Sequence, residues 1–69
     1  MLGTMKPIDL RVHARLVAAQ EALGDTNEVF AERFGVPVRT LQSWKYKERN
    51  LSKPALKLLE QIEKRIKGD

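Results

Sequence analysis

The residues best suited to chemistry lie between Val38 and Arg49. Arg39, Gln42 and Ser43 recur at steps of three and four, so a helix would set them on one face. A guanidinium, a carboxamide and a hydroxyl grouped in this way both donate and accept hydrogen bonds. That is the repertoire that reads base edges in a DNA major groove. Val38 stands at the start of the same helix, where its methyls suit packing and contact with a thymine methyl equally. Lys45, Lys47 and Arg49 follow as candidate phosphate ligands. Tyr46 is evenly poised between offering its hydroxyl to a phosphate and covering the edge of a core.

Charge sharpens this reading. The chain of 69 residues carries 13 Lys and Arg against 9 Asp and Glu, a net charge of +4. Residues 39–53 hold Arg39, Lys45, Lys47, Arg49 and Lys53 against Glu48 alone, so the whole excess sits there. A run of charge is often a solvated face, but so local an excess also suits a polyanion. Catalysis is not expected. The sequence has no cysteine and a single histidine, His13. It has no Gly-rich phosphate loop and no HExxH motif, and its carboxylates are scattered among basic neighbours. No metal site or cofactor is expected. No apolar run is long enough to span a membrane and no apolar signal core opens the chain, so a cytoplasmic protein is expected.

These side chains need elements to hold them. Residues 1–6 read as a flexible leader and 7–69 as one domain. Pro7 suits the first turn of a helix running to Leu23, with Leu10, Val12, Ala14, Leu16, Val17, Ala19 and Leu23 on its apolar stripe. Gly24 can end it in a positive-φ conformation. A second helix follows, capped by Asp25 or Thr26, with Glu28 three residues after Asp25 as in a capping box. Val29, Phe30, Ala31 and Phe34 supply its apolar side, and Gly35 stops it. A third runs from about Pro37 to Tyr46, with Leu41 and Trp44 facing inward as core anchors. Residues 47–51 read as a loop. Ser52 caps a fourth helix, with Pro54 in its first turn and Leu51 and Leu56 placed as a hydrophobic staple. Ala55, Leu58, Leu59, Ile62 and Ile66 form its stripe. No stretch alternates as a strand would. The fold class expected is therefore all-α, a compact four- to five-helix bundle.

The stretch from Thr26 to Trp44, TNEVFAERFGVPVRTLQSW, puts two short helices around a glycine turn, a helix-turn-helix pattern at about residues 26–46. From about Leu16 to Ile66 the chain resembles the Cro and phage-repressor, or XRE-like, family of lambda-repressor-like DNA-binding domains. The small residue of that pattern is Ala31, its turn glycine Gly35, and its buried pair Leu41 and Trp44. The run GVPVRTLQSW, followed by a basic loop and PALKLLEQIEK, is similar to antitoxins of type II toxin–antitoxin pairs. Small anti-CRISPR-associated repressors share its scale. The chain departs from the pattern in Asn27, where glutamine is usual, and in Pro37, where Ser or Thr usually caps the third helix. It also has four recognisable helices where the family often has five.

The resemblance implies a transcriptional repressor that places helix 37–46 in the major groove of double-stranded DNA. Val38, Arg39, Gln42 and Ser43 would face bases, while Asn27, Thr40, Lys45, Tyr46, Lys47 and Arg49 would contact phosphates. A homodimer on a near-palindromic operator is expected, joined through Leu56, Leu59, Ile62 and Ile66 of the C-terminal helix, about residues 52–67. The alternative reading is a protein-interaction module, such as an antitoxin that grips a partner toxin through the basic loop and C-terminal helix.

Overall fold

The structure, a computed structural model, describes residues 8–68. It is all-helical over that span, with four helices and no strand among the described residues. These are α1 (Leu10–Leu23), α2 (Asn27–Phe34), α3 (Val38–Lys45) and α4 (Lys53–Gly68). The expected leader and Pro7 lie outside the described residues. No helix among them is long and apolar enough to cross a membrane.

Caps set the helix limits. Helix α1 starts at Leu10 because Asp9 is its N-cap; Asp9 Oδ1 accepts from the backbone N–H groups of Arg11 (3.0 Å) and Val12 (3.4 Å). Helix α2 is capped by Thr26, whose Oγ1 accepts from the Val29 N–H at 3.3 Å. The capping box expected from Asp25 and Glu28 does not form, because the Asp25 carboxylate is taken by the Arg33 guanidinium at the other end of the helix. Helix α3 begins after Pro37 with no side-chain cap. Ser52 caps α4 as expected, its Oγ accepting from Ala55 N–H at 3.4 Å.

Helices α1 and α2 end alike. Gly24 and Gly35 both sit at φ +69° and close the double backbone turn that satisfies the last carbonyls. A Cβ at either position would meet nothing within 4 Å, so conformation alone, not space, favours glycine there.

Leu16, Phe30, Leu41 and Leu59, one from each helix, are the largest fully buried side chains. Ala19, Ala31, Phe34, Trp44, Leu51 and Ala55 complete the core. Phe34 meets Phe30 edge-to-face at 5.2 Å and Trp44 at 5.5 Å, which joins α2 to α3 through an aromatic chain. Arg15 on α1 holds Glu63 on α4 by two bonds, Nε to Oε2 at 2.9 Å and Nη2 to Oε1 at 2.6 Å. Four residues assigned to apolar stripes are instead exposed: Leu10 (61%), Ala14, Val29 (43%) and Ile66 (37%). Leu10 and Val29 lie in the first turns of their helices.

Candidate nucleic-acid interface

Two anchors fix the orientation of α3. Leu41 and Trp44 point into the core, so the residues between and around them must face outward. Arg39 is exposed, while Gln42 and Ser43 are half-buried. Arg39 and Gln42 make no side-chain hydrogen bond or ion pair among the described residues. Ser43 Oγ donates to the Thr40 carbonyl at 2.7 Å, so its proton is engaged and its lone pairs stay free to accept. Val38 is half-buried and packs against the core cluster, which favours its structural role over base contact. Thr40 is half-buried beside it. No carboxylate lies on α3.

The basic turn grows directly from the end of this helix. Lys47 N–H donates to the Trp44 carbonyl at 3.2 Å and Glu48 N–H to the Ser43 carbonyl at 2.9 Å. This is the same closing pattern found after α1 and α2, with Lys47 in the place of the two glycines. Its φ is +64°, the one positive φ outside glycine among the described residues. Tyr46 is 65% exposed, so it does not cover the core edge. Lys47 and Arg49 are exposed as well. The turn is tied to the start of α1, where Asp9 N–H donates to Asn50 Oδ1 at 2.9 Å.

Asn27 and Lys45 do not behave as independent surface groups. Asn27 Oδ1 accepts from Gln20 Nε2 at 2.9 Å and from Lys45 Nζ at 2.8 Å. Two donors on the oxygen fix the rotamer and turn the Asn27 NH2 away from both, as a ready donor at the start of α2. Gln20 is buried and its amide also donates to the Asp25 carbonyl at 3.2 Å, so this lock is anchored in the core. Lys45 is half-buried and holds an internal acceptor, which makes it a cross-brace between α2 and α3 as well as a cation near the face.

The sequence pointed to neither Gln20 nor His13 for this site. His13 Nε2–H donates to the Lys45 carbonyl at 2.8 Å, clamping the C-terminal end of α3 to α1. That acceptor requires the proton on Nε2 in the neutral ring. The two residues stand 32 positions apart, so no local pattern could reveal the contact.

The expected dimer residues do not share one open face. Leu59 is fully buried within its own chain and belongs to the core. Leu56 and Ile62 are half-buried and pack against that core. Ile66 alone of the four is exposed, at 37%. A single small core thus uses most of the stripe that the sequence offered to a second copy. Comparison with protein-family models, with curated proteins and with solved structures finds no match for the chain.

Proposed function

We propose that the chain is a sequence-specific reader of double-stranded DNA and acts as a small transcriptional repressor, with α2 and α3 working as a helix-turn-helix. The observation that carries this reading is the outward face of α3. Arg39 and Gln42 lie there without internal partners, on a helix with no carboxylate, and the face runs into a turn holding Tyr46, Lys47 and Arg49. Groups left unpaired on one surface are available to base edges, and adjoining cations suit the phosphates on either side. The amide of Asn27, held by Gln20 and Lys45, adds a positioned donor at the start of α2.

Arg39 would read a base by a bidentate contact, and Gln42 and Ser43 would supplement it. Lys47, Arg49 and Tyr46 would set register and affinity through the backbone. Occlusion of a promoter is the consequence of binding that needs nothing beyond the α3 face and the turn that follows it. Two copies on a near-palindromic operator would supply the specificity that one eight-residue helix lacks.

The test is a gel shift with the DNA upstream of the chain's own gene, at two salt concentrations and against competitor DNA. A shift that survives competitor and weakens steeply with salt supports the reading. Absence of any shift at low salt, or a shift that competitor abolishes at once, rejects sequence-specific binding.

A further inference from the structure

Gln20 is the one buried polar side chain among the described residues. Its carboxamide has two protons and spends both: one on the Asp25 carbonyl at 3.2 Å, the other on Asn27 Oδ1 at 2.9 Å. Asn27 Oδ1 takes a further proton from Lys45 Nζ at 2.8 Å. These partners fix which way each amide faces. A backbone carbonyl only accepts, so it demands the Gln20 nitrogen; an ammonium only donates, so it demands the Asn27 oxygen. The Asn27 nitrogen is left without a hydrogen bond among the described residues. Lys45 is held at its backbone as well, where His13 Nε2 donates to its carbonyl at 2.8 Å. His13 and Gln20 stand seven residues apart on α1, two turns, and so share a face, with the fully buried Leu16 between them. One face of α1 therefore ties the start of α2 to the end of α3 through a closed circuit of bonds.

Taking α2 and α3 as the DNA-binding unit, on which this rests, we propose that Gln20 is a positioning residue for DNA binding. From the core it holds the Asn27 amide in the one orientation that donates to a backbone phosphate. The turn between α1 and α2 uses only the proton on the Asp25 carbonyl. The second proton holds a side chain on the next helix. A less restrained Asn27 would sample other orientations, including oxygen outward, which a phosphate repels. Fixing the amide before DNA arrives removes that ordering cost from the binding step. Gln20 carries no charge, so its effect has a signature that a phosphate ligand such as Lys47 lacks: affinity changes while the salt slope does not.

The experiment titrates upstream DNA and a scrambled duplex, followed by fluorescence anisotropy at several salt concentrations, against wild type, Gln20→Met, Asn27→Ala and the double variant. Circular dichroism first establishes that each is folded at the working temperature. Asn27→Ala should weaken binding to both duplexes by about tenfold, the worth of one hydrogen bond to a charged acceptor. Gln20→Met, similar in size but without a donor, should weaken both by about threefold, the cost of ordering one side chain. The double variant should bind like Asn27→Ala alone, because Gln20 acts through Asn27. Salt slopes should stay at the wild-type value throughout. A purely structural Gln20 would give multiplying losses in the double variant, about thirtyfold, and that result overturns the proposal. So would a Gln20→Met affinity equal to wild type, or a changed salt slope. If Gln20→Met does not fold, nuclear magnetic resonance of the wild-type protein decides: the Gln20 side-chain amide should exchange slowly with solvent, and the Asn27 side-chain amide should shift on adding DNA. Fast exchange at Gln20 or an unmoved Asn27 amide overturns the proposal. Wild-type protein that binds neither duplex at low salt overturns the DNA-binding reading itself; wild-type binding that Gln20→Met leaves intact overturns this inference alone.

Discussion

Lys47 holds a left-handed conformation that glycine adopts freely and a lysine adopts at a cost. The two equivalent positions, Gly24 and Gly35, carry the residue that stability alone would choose. A side chain retained against that preference at the end of α3 fits a role in binding. Lys47→Gly should therefore raise stability to denaturant by up to about 1 kcal/mol. The same change should weaken binding to all DNA sequences alike and reduce the salt slope by about one unit. A gain in stability with DNA binding untouched would leave Lys47 without that role. Arg39 should behave differently. Arg39→Ala should cost about 1–3 kcal/mol on the specific site and relax preference at one base pair, with stability unchanged since Arg39 has no internal partner. Parallel titrations of specific and scrambled DNA measure this, and equal losses on both would make Arg39 a phosphate ligand.

At the scale of elements, α3 is short and uncapped at its start, so tertiary contacts must hold it. Trp44 against Phe34, Leu41 in the core and His13 on the Lys45 carbonyl supply them. Trp44→Ala should cost about 3–5 kcal/mol, a loss that a core of this size does not survive. Thermal unfolding followed by circular dichroism tests it; a cooperative transition near the wild-type midpoint would show α3 held by other means. Between α1 and α4 the Arg15–Glu63 pair matters less. Both side chains are partly exposed, so the pair contributes about 0.2–1 kcal/mol. The Arg15 hydrogen bonds hold the Glu63 carboxyl below its ordinary value of 4.5, against a smaller opposing effect of burial. A depressed carboxylate stabilises fully above its unfolded pKa, and the contribution is lost as pH falls through the folded value. Glu63→Gln should thus narrow the gap in stability between neutral pH and acid below the usual carboxylate range. Chemical denaturation at those two pH values reads the difference, and an unchanged gap would mean the pair is not formed in solution.

For the whole molecule the question is assembly. The stripe on α4 that suggested a dimer is largely spent on the chain's own core, with Leu59 fully enclosed. The exposed remainder around Ile66 is bordered by the Arg15–Glu63 ion pair and by Lys67, charges that a two-fold contact would have to desolvate. The free protein should therefore be monomeric at micromolar concentration, and two copies should assemble on one operator, with recognition helices about 34 Å apart in successive major grooves. Light scattering with and without operator DNA decides this. A stable dimer off DNA would require an interface on another face, and one copy per operator would remove the palindromic arrangement.

Local chemistry made the four helices, the glycine stops and the inward set of Leu16, Phe30, Leu41, Trp44 and Leu59 legible from the sequence. Apolar spacing and positive-φ requirements act within a few residues, so the order of residues alone expresses them. The same holds for the outward placing of Arg39, Gln42 and Ser43, which follows once Leu41 and Trp44 point inward. Tertiary structure decided what depends on distant partners. It took Asp25 from the capping role and gave it to Arg33, bound Asn27 to Gln20 and Lys45, and set His13 on the end of α3. It also decided how much of the α4 stripe a single core consumes. Burial is a property of how helices cross, and a hydrogen bond between residues 32 positions apart leaves no periodic trace in the chain.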